Sequence, residues 1–265
     1  MLFRSYSFLL WGRLSYDPKL TDAHFQSILA SRFPGIDSGK LFQAWADSSQ
    51  VFPLITRFFW GDIDLRWFPE ACLSHPRYKG YYTVRDFIEG SPMPGSKVMG
   101  ILPWRKAKLA NQSMTETTPI EIATALEKYS AQALAALPAL RAGKPEGELA
   151  QTLGDIEAMG LLAHYYSLKI KAAASLALFD RSSNAAEQKA AVDFLTEAVK
   201  TWRDYARVYT SQYTTPHLYN RVGFVDMNAL TARAQDDVRM AQKWQPGTVP
   251  QDSPRGVRND QPFAK

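Results

Sequence analysis

From residue 118 onward, apolar residues recur at alternating steps of three and four, which is the pattern of long amphipathic helices. The first long stripe, between residues 146 and 179, consists of Leu149, Leu153, Ile156, Gly160, Ala163, Ser167, Ile170, Ala174 and Ala177. The second stripe, between residues 185 and 213, consists of Ala191, Leu195, Ala198, Trp202, Tyr205 and Tyr209. Such spacing keeps one face of a helix towards a partner helix. The small residues in the first stripe allow a close approach between helices.

Local signals mark the ends of these helices. Thr118-Pro119-Ile120-Glu121 combines an N-cap threonine, a proline at the first helical position and a glutamate that can complete a capping box. The predicted helices cover residues 119–141, 146–179 and 185–213. A shorter segment over 216–224 then leads to Asp226, a predicted cap for a last helix that reaches Trp244. Short connections between long helices predict an antiparallel up-and-down bundle.

The first 117 residues have a different character. They hold 20 of the 33 aromatic residues, whereas residues 118–245 hold 25 alanines. We expect a short strand over 7–11, a helix over 20–32 and a second helix from Asp37 to Val51. Residues 60–104 contain many Gly and Pro breakers and are predicted to be loop-like. A long irregular stretch of this kind needs a scaffold to lie on.

These differences predict three parts: an irregular, aromatic-rich region over 1–117, a helical bundle over 118–245, and a tail over 246–265. The tail contains four prolines and no periodic apolar face, so we expect it to be flexible. The fold class is mainly α.

One segment carries a likeness to known proteins. Phe8-Leu9-Leu10-Trp11-Gly12-Arg13-Leu14-Ser15-Tyr16-Asp17-Pro18 resembles a stretch near the barrel end of α-glucuronidase-type glycoside hydrolases. In those enzymes, a late barrel strand leads through this stretch into a helix. The resemblance therefore implies that residues 1–117 are the remnant of a barrel end.

The continuation is similar to large bacterial polysaccharide-utilisation proteins, in Arg57-Phe58-Phe59-Trp60-Gly61-Asp62-Ile63-Asp64-Leu65-Arg66-Trp67 and in Thr117-Thr118-Pro119-Ile120-Glu121. A helical region follows the barrel in such proteins. A complete (β/α)₈ barrel needs roughly 200 residues or more, so only its last unit fits ahead of residue 35. The catalytic carboxylates of the family lie on earlier strands and have no counterpart here. The resemblance implies a C-terminal part that is not an active enzyme alone.

Several side chains are candidates for contact with a sugar. Asp62, Asp64 and Arg66 lie between Trp60 and Trp67, and carboxylates beside aromatic faces suit sugar hydroxyls and rings. The alternative is a loop whose acidic residues cap turns and pair with a neighbouring arginine.

The resemblance also places Trp11 and Arg13 at a barrel rim, where Arg13 could bind a sugar carboxylate. The alternative is a structural pair between Arg13 and Asp17.

Composition narrows the function further. The chain has 31 basic and 26 acidic side chains without a basic block, which argues against nucleic-acid binding. Cys72 is the only cysteine, so no intramolecular disulfide can form. The four histidines are too widely separated for metal-ligand spacing, and we expect neither a metal nor another cofactor. No membrane span and no secretory signal are predicted, so we expect a soluble chain whose compartment stays open.

Three functions remain at this stage. The first is an accessory, non-catalytic part of a carbohydrate-active enzyme, with carbohydrate or the absent N-terminal barrel region as partner and with bracing or homodimerisation through the bundle. The second is a stand-alone helical interaction or scaffold protein. The third is a carbohydrate-binding module that uses Trp60, Trp67 and Trp104 as platforms.

Overall fold

The computed structural model describes residues 2–60, 81–219 and 223–254, and these are mainly helical, as predicted. The elements are α1 (Leu2–Tyr16), α2 (Asp22–Arg32), α3 (Ser38–Ser49), α4 (Val51–Phe58), α5 (Val84–Glu89), α6 (Ile101–Leu109), α7 (Pro119–Leu140), α8 (Gly147–Ser182), α9 (Ala185–Gln212), β1 (His217–Tyr219), β2 (Gly223–Val225) and α10 (Thr231–Gln242). None of the helices in these ranges combines the length and apolarity needed to cross a membrane.

Helix α8 is the centre of the molecule. It has 36 residues, and α7 and α9 pack along it as the helices before and after it in the chain. The predicted ends of these three helices agree with the structure to within a few residues. The capping box at the start of α7 is formed, because the Thr118 hydroxyl accepts from the Glu121 N–H while the Glu121 carboxylate accepts from the Thr118 N–H.

Two hydrophobic cores hold the helices together. The larger joins residues of α4, α5 and α6 to α7, α8, α9 and α10, and the smaller joins α2 and α3 to the end of α7 and the start of α8. Each core contains residues from both sides of position 117. The predicted boundary there is therefore not a boundary between two hydrophobic cores.

The predicted strand over residues 7–11 is wrong, because these residues lie inside α1. The segment 2–16 contains no Pro, Val, Ile or Thr, so Gly12 is the one residue in it that strongly disfavours a helix. An apolar run of this length fits a strand or a buried helix face equally well. Leu9 and Leu10 face α2 and α3, and the helix ends shortly before Pro18.

Two further parts of the N-terminal region differ from the prediction. The helix expected from Asp37 to Val51 is divided into α3 and α4, which meet at Gln50. Helices α5 and α6 lie within the stretch predicted to be loop-like, and α5 begins with its own capping box at Thr83 and Asp86. Residues 61–80 lie outside the described part of the chain.

The segment predicted over 216–224 is an antiparallel hairpin of β1 and β2, in which Leu218 faces Phe224. Asp226 does not cap the last helix directly. Its carboxylate accepts from the Asn228 N–H at 2.8 Å and forms a turn, after which α10 begins.

Residues 246–254 are packed against the bundle, in contrast to the flexible tail that was predicted. The buried guanidinium of Arg105 donates to the carbonyls of Val249 (3.1 Å) and Gln251 (2.6 Å) and pairs with the carboxylates of Asp180 and Asp252. The Val249 side chain is fully buried. Apolar periodicity does not predict such a segment, because Arg105 binds it through main-chain carbonyls, which every residue carries. Residues 255–265 are outside the described ranges.

Gly160 allows α7 and α8 to approach each other, because a Cβ at this position would lie 2.9 Å from side-chain atoms of Leu134. We expect Gly160→Val to lower the free energy of unfolding by about 1–3 kcal/mol through overpacking, measured by urea denaturation. At Gly12 a Cβ would meet nothing within 4 Å. Gly12→Val should therefore stay within about 0.5 kcal/mol of the wild type. Equal losses at both positions would contradict the packing argument.

Candidate functional site

The structure places Trp11 and Arg13 on the exposed side of α1. The Trp11 side chain is 74% exposed. The Arg13 guanidinium lies 3.4 Å from Nε2 of His24, so its described contact is with a ring nitrogen of α2. Because α1 is a helix, these residues do not stand at the end of a strand as the barrel-rim prediction required. Their proposed contact with a sugar stays a prediction.

Trp60 follows the end of α4 and is half-buried. Its N–H donates to the carbonyl of Ser91 at 2.8 Å, and the N–H of Met93 donates to the carbonyl of Arg57 at 2.8 Å. These two bonds fix the chain at the point where the candidate segment begins. Asp62, Asp64, Arg66 and Trp67 lie outside the described residues, and their role stays a prediction.

Trp104 cannot serve as a sugar platform. It lies on α6, its side chain is buried, and it belongs to the larger hydrophobic core. A platform residue has to present the face of its ring to solvent.

The densest polar cluster of the described residues lies inside the bundle, around Lys169 on α8. The ammonium group donates to the carboxylate of Asp237 on α10 (2.8 Å), the carbonyl of Tyr82 (2.5 Å) and the hydroxyl of Tyr165 (3.0 Å). Asp237 also accepts from the hydroxyl of Tyr81 at 2.9 Å and from the N–H of Val84 at 2.8 Å. The hydroxyls of Tyr81 and Tyr165 are 2.6 Å apart and close the network.

Aromatic rings enclose this cluster. The Lys169 ammonium lies 4.0 Å from the ring centroid of Tyr81, and the Trp202 ring packs edge-on against Tyr81 and Tyr165. Burial disfavours the charged form of Lys169, but the attraction of Asp237 outweighs it and raises the pKa of the ammonium above its usual value. Burial also raises the pKa of Tyr165 to about 12. Burial raises the pKa of Asp237 as well, while the attraction of Lys169 and the bonds from the Val84 N–H and the Tyr81 hydroxyl act in the opposite direction. Because donors surround the Asp237 carboxyl group, we assign the pair as an ammonium and a carboxylate.

The geometry of this cluster is that of a brace and not of an open site. All three protons of Lys169 have acceptors, and Lys169 and Asp237 are each 1% exposed. No substrate can reach them without the bundle opening. The pair was not predicted from the sequence, although one signal was present. Lys169 lies among apolar residues on a helix that is apolar on nearly every side, and a charge in such a position needs a buried partner.

A second polar cluster lies nearer the surface, where the start of α8 meets the end of α9. The hydroxyl of Tyr213 donates to the Asp155 carboxylate. The rings of Tyr209, Tyr213 and His217 follow one another at centroid distances of 4.9 Å for the first pair and 6.5 Å for the second, and all three are half-buried. Burial raises the pKa of Asp155, while the bond from Tyr213 acts in the opposite direction.

The part of the chain that the structure describes contains no group of three or more His, Cys, Asp or Glu side chains that could hold a metal ion.

Comparison with known proteins gives a likeness of fold. No protein-family model matches the chain, and the search of curated proteins found no match either. A solved structure described as a GH138 enzyme targeting pectin rhamnogalacturonan II matches with a TM-score of 0.70 and 13% sequence identity. The match covers 88% of this chain and 36% of the enzyme. The chain is therefore similar in fold to a part of that enzyme, and the match spans well under half of the enzyme's length.

Removal of one member of the buried pair tests the brace. We expect Asp237→Ala to lower the free energy of unfolding by about 3–5 kcal/mol, because the Lys169 charge is left uncompensated. The double variant Lys169→Met/Asp237→Leu should cost less than the single one, since no buried charge remains. Asp193→Ala, which breaks an exposed pair with Lys189, should change stability by about 0.5 kcal/mol or less. A double variant with a lower free energy of unfolding than the single variant would contradict the role of the pair as a brace.

Asp155 should make stability depend on pH. Its pKa in the folded chain is raised above 3.8, so ionisation costs more in the folded than in the unfolded state, and stability falls as pH rises through that window. Asp155→Asn removes this loss, and its stability relative to the wild type should improve between about pH 3 and pH 6. Tyr213→Phe removes the bond that lowers the pKa of Asp155, so the free energy of unfolding should fall more steeply as the pH rises. Urea unfolding across this pH range measures both, and a pH-independent difference would argue against the shift.

Proposed function

We propose that this chain is a helical accessory region of a carbohydrate-active protein and that it braces an enzyme without performing the chemistry itself. The observation that carries the proposal is the fold likeness to a glycoside hydrolase, which extends over 88% of this chain but only 36% of the enzyme. A fold that forms a minor part of a large enzyme suits a supporting role.

The polar chemistry of the described residues supports this proposal. The buried charges of Lys169, Asp237, Arg105 and Asp180 are all engaged in holding helices and segments together. Hydrolysis of a glycosidic bond needs two carboxyl groups that flank the bond from an open cleft. The two fully buried carboxylates are inaccessible to a glycan, so neither suits that role.

We further propose that the segment from Trp60 to Trp67 contacts sugar. Asp62, Asp64 and Arg66 would bind hydroxyl or carboxylate groups, and the two indole rings would pack against sugar faces. The backbone bonds from Trp60 to Ser91 and from Met93 to Arg57 support this, because they anchor the start of the segment on the bundle. The substrate class would be pectic glycans, in line with the enzyme that shares the fold.

A stand-alone helical scaffold is the second candidate. The observation in its favour is that both hydrophobic cores join residues from the two sides of position 117, so the described residues pack with one another.

Glycan assays separate the two candidates. We expect the purified chain to release no sugar from rhamnogalacturonan II or other pectic glycans, measured by anion-exchange chromatography. Calorimetry should detect binding to pectic oligosaccharides, and Trp60→Ala and Trp67→Ala should each weaken it by roughly tenfold through loss of a ring contact. Phe224→Ala, a change at an exposed aromatic residue on β2, should leave binding unchanged.

Each alternative result has a clear meaning. Release of sugar by the chain alone would overturn the accessory role. A folded chain that neither binds nor cleaves any of these glycans would remove sugar contact and leave the scaffold candidate.

A further inference from the structure

Polar and aromatic side chains surround Asp155, where the start of α8 meets the end of α9. Asp155 is 7% exposed, and its Oδ1 atom accepts from the hydroxyl of Tyr213. Its other oxygen, Oδ2, accepts no hydrogen bond within the ranges that the structure describes. A buried carboxylate oxygen without a donor costs free energy, so this atom points to a donor that is not part of the chain.

A second buried polar atom near Asp155 has no partner. Thr152 precedes Asp155 by three residues on α8, so the two side chains are neighbours on the surface of this helix. Thr152 is 1% exposed, and its hydroxyl makes no hydrogen bond with any described residue. A ligand hydroxyl group both donates and accepts, so it can bond to the Asp155 carboxylate as well as to the Thr152 hydroxyl.

A glycine inside α8 makes room for a further polar group. A Cβ at Gly154 would clash with the side-chain amide of Gln212, so the glycine allows this amide to pack against the helix. Nε2 of Gln212 then lies 3.5 Å from Oδ1 of Asp155. Glycine in a helix interior costs about 1 kcal/mol relative to alanine, so the amide is held beside the carboxylate at the expense of helix stability.

Three half-buried rings adjoin this cluster through Tyr213. The ring centroids of Tyr209 and Tyr213 are 4.9 Å apart, and the ring of His217 lies 6.1 Å from the first and 6.5 Å from the second. Each side chain remains partly exposed. Sites for small ligands combine aromatic surface with a few polar groups that fix the orientation of the ligand, and both are present here.

The chemistry of this cluster favours a neutral sugar over other small ligands. A quaternary ammonium ion suits a carboxylate beside aromatic rings, but it brings no group that can bond to the Thr152 hydroxyl. An acidic sugar brings a carboxylate, which the charge of Asp155 repels. A neutral pyranose offers hydroxyl groups to the polar atoms and an apolar ring face to the aromatic side chains.

We propose that Asp155, Thr152 and Gln212, together with the rings of Tyr213 and His217, form a binding site for a neutral pyranose sugar. Oδ2 of Asp155 accepts from one sugar hydroxyl, the Thr152 hydroxyl bonds to a second, and the aromatic rings contact the apolar face of the sugar. The inference goes beyond the proposed function, because it names a second sugar site in a different part of the fold from the segment 60–67.

NMR titration of the full chain with methyl β-galactopyranoside tests the proposal. We expect saturable binding in the millimolar range, and galacturonic acid should bind more weakly because its carboxylate is repelled. Asp155→Asn should weaken the binding of the galactoside by roughly tenfold, through loss of a charged acceptor. The same substitution is not expected to destabilise the fold, so its loss of binding would not reflect unfolding.

Two tyrosine variants test the ring contact. Tyr213→Leu removes a ring next to the carboxylate and should weaken binding by roughly 5–10-fold. Tyr129→Leu is the matched control, because Tyr129 is also half-buried but lies on α7, and this change should alter the affinity by about twofold or less. Circular dichroism confirms that each variant is folded.

The double variant Trp60→Ala/Trp67→Ala separates this site from the segment 60–67, and it should bind the galactoside as the wild type does. Loss of galactoside binding in that variant, with unchanged binding by Asp155→Asn, would assign the sugar to the segment 60–67 and overturn this inference. A wild-type chain that does not bind the galactoside would overturn it as well. Tighter binding of tetramethylammonium than of the galactoside would overturn the assignment to a sugar.

Discussion

The charge of Lys169 inside the bundle imposes the strongest constraint on this fold. A buried ammonium group is tolerated only where acceptors surround it, and here they come from three separate parts of the chain: α8 itself, α10, and the segment before α5. A shift in any of these parts leaves a donor or a carboxylate without a partner. Apolar packing alone is compatible with several arrangements of these helices. The hydrogen-bond network around Lys169 is satisfied in only one of them.

The sequence predicts the bundle well because its signals are local. The capping box at Thr118 and Glu121 lies within one turn, and each residue of the stripe along α8 lies about one turn from the next. Other features depend on distant residues. Lys169 and Asp237 are far apart in the chain, and the segment 246–254 is fixed by an arginine more than a hundred residues earlier. Helix α1 was missed for a different reason, since a short apolar run fits a strand as well as a helix.

The candidate site was predictable only in part. Trp60 lies where the sequence analysis placed the start of a sugar-contacting segment, and the structure adds the backbone bonds that anchor it. Trp104 was misjudged because an aromatic residue of the core and one of a binding surface look alike in a sequence. The Asp155–Tyr213 pair could not be predicted from either residue alone, because only the packing of α8 on α9 brings the two side chains together.

The hydrogen bonds and ion pairs between Arg105 and residues 249–252 affect the order in which the protein folds during synthesis. The main-chain and carboxylate partners of Arg105 at residues 249, 251 and 252 follow it by 144, 146 and 147 positions. During synthesis, the guanidinium can pair early with the carboxylate of Asp180, but its bonds to residues 249–252 form only after that segment has left the ribosome. Contacts that close such long loops form late and slowly. The nascent bundle thus passes through a stage in which its helices are present but residues 249–252 do not yet cover the end of α8. In this stage the chain is most accessible to chaperones and proteases.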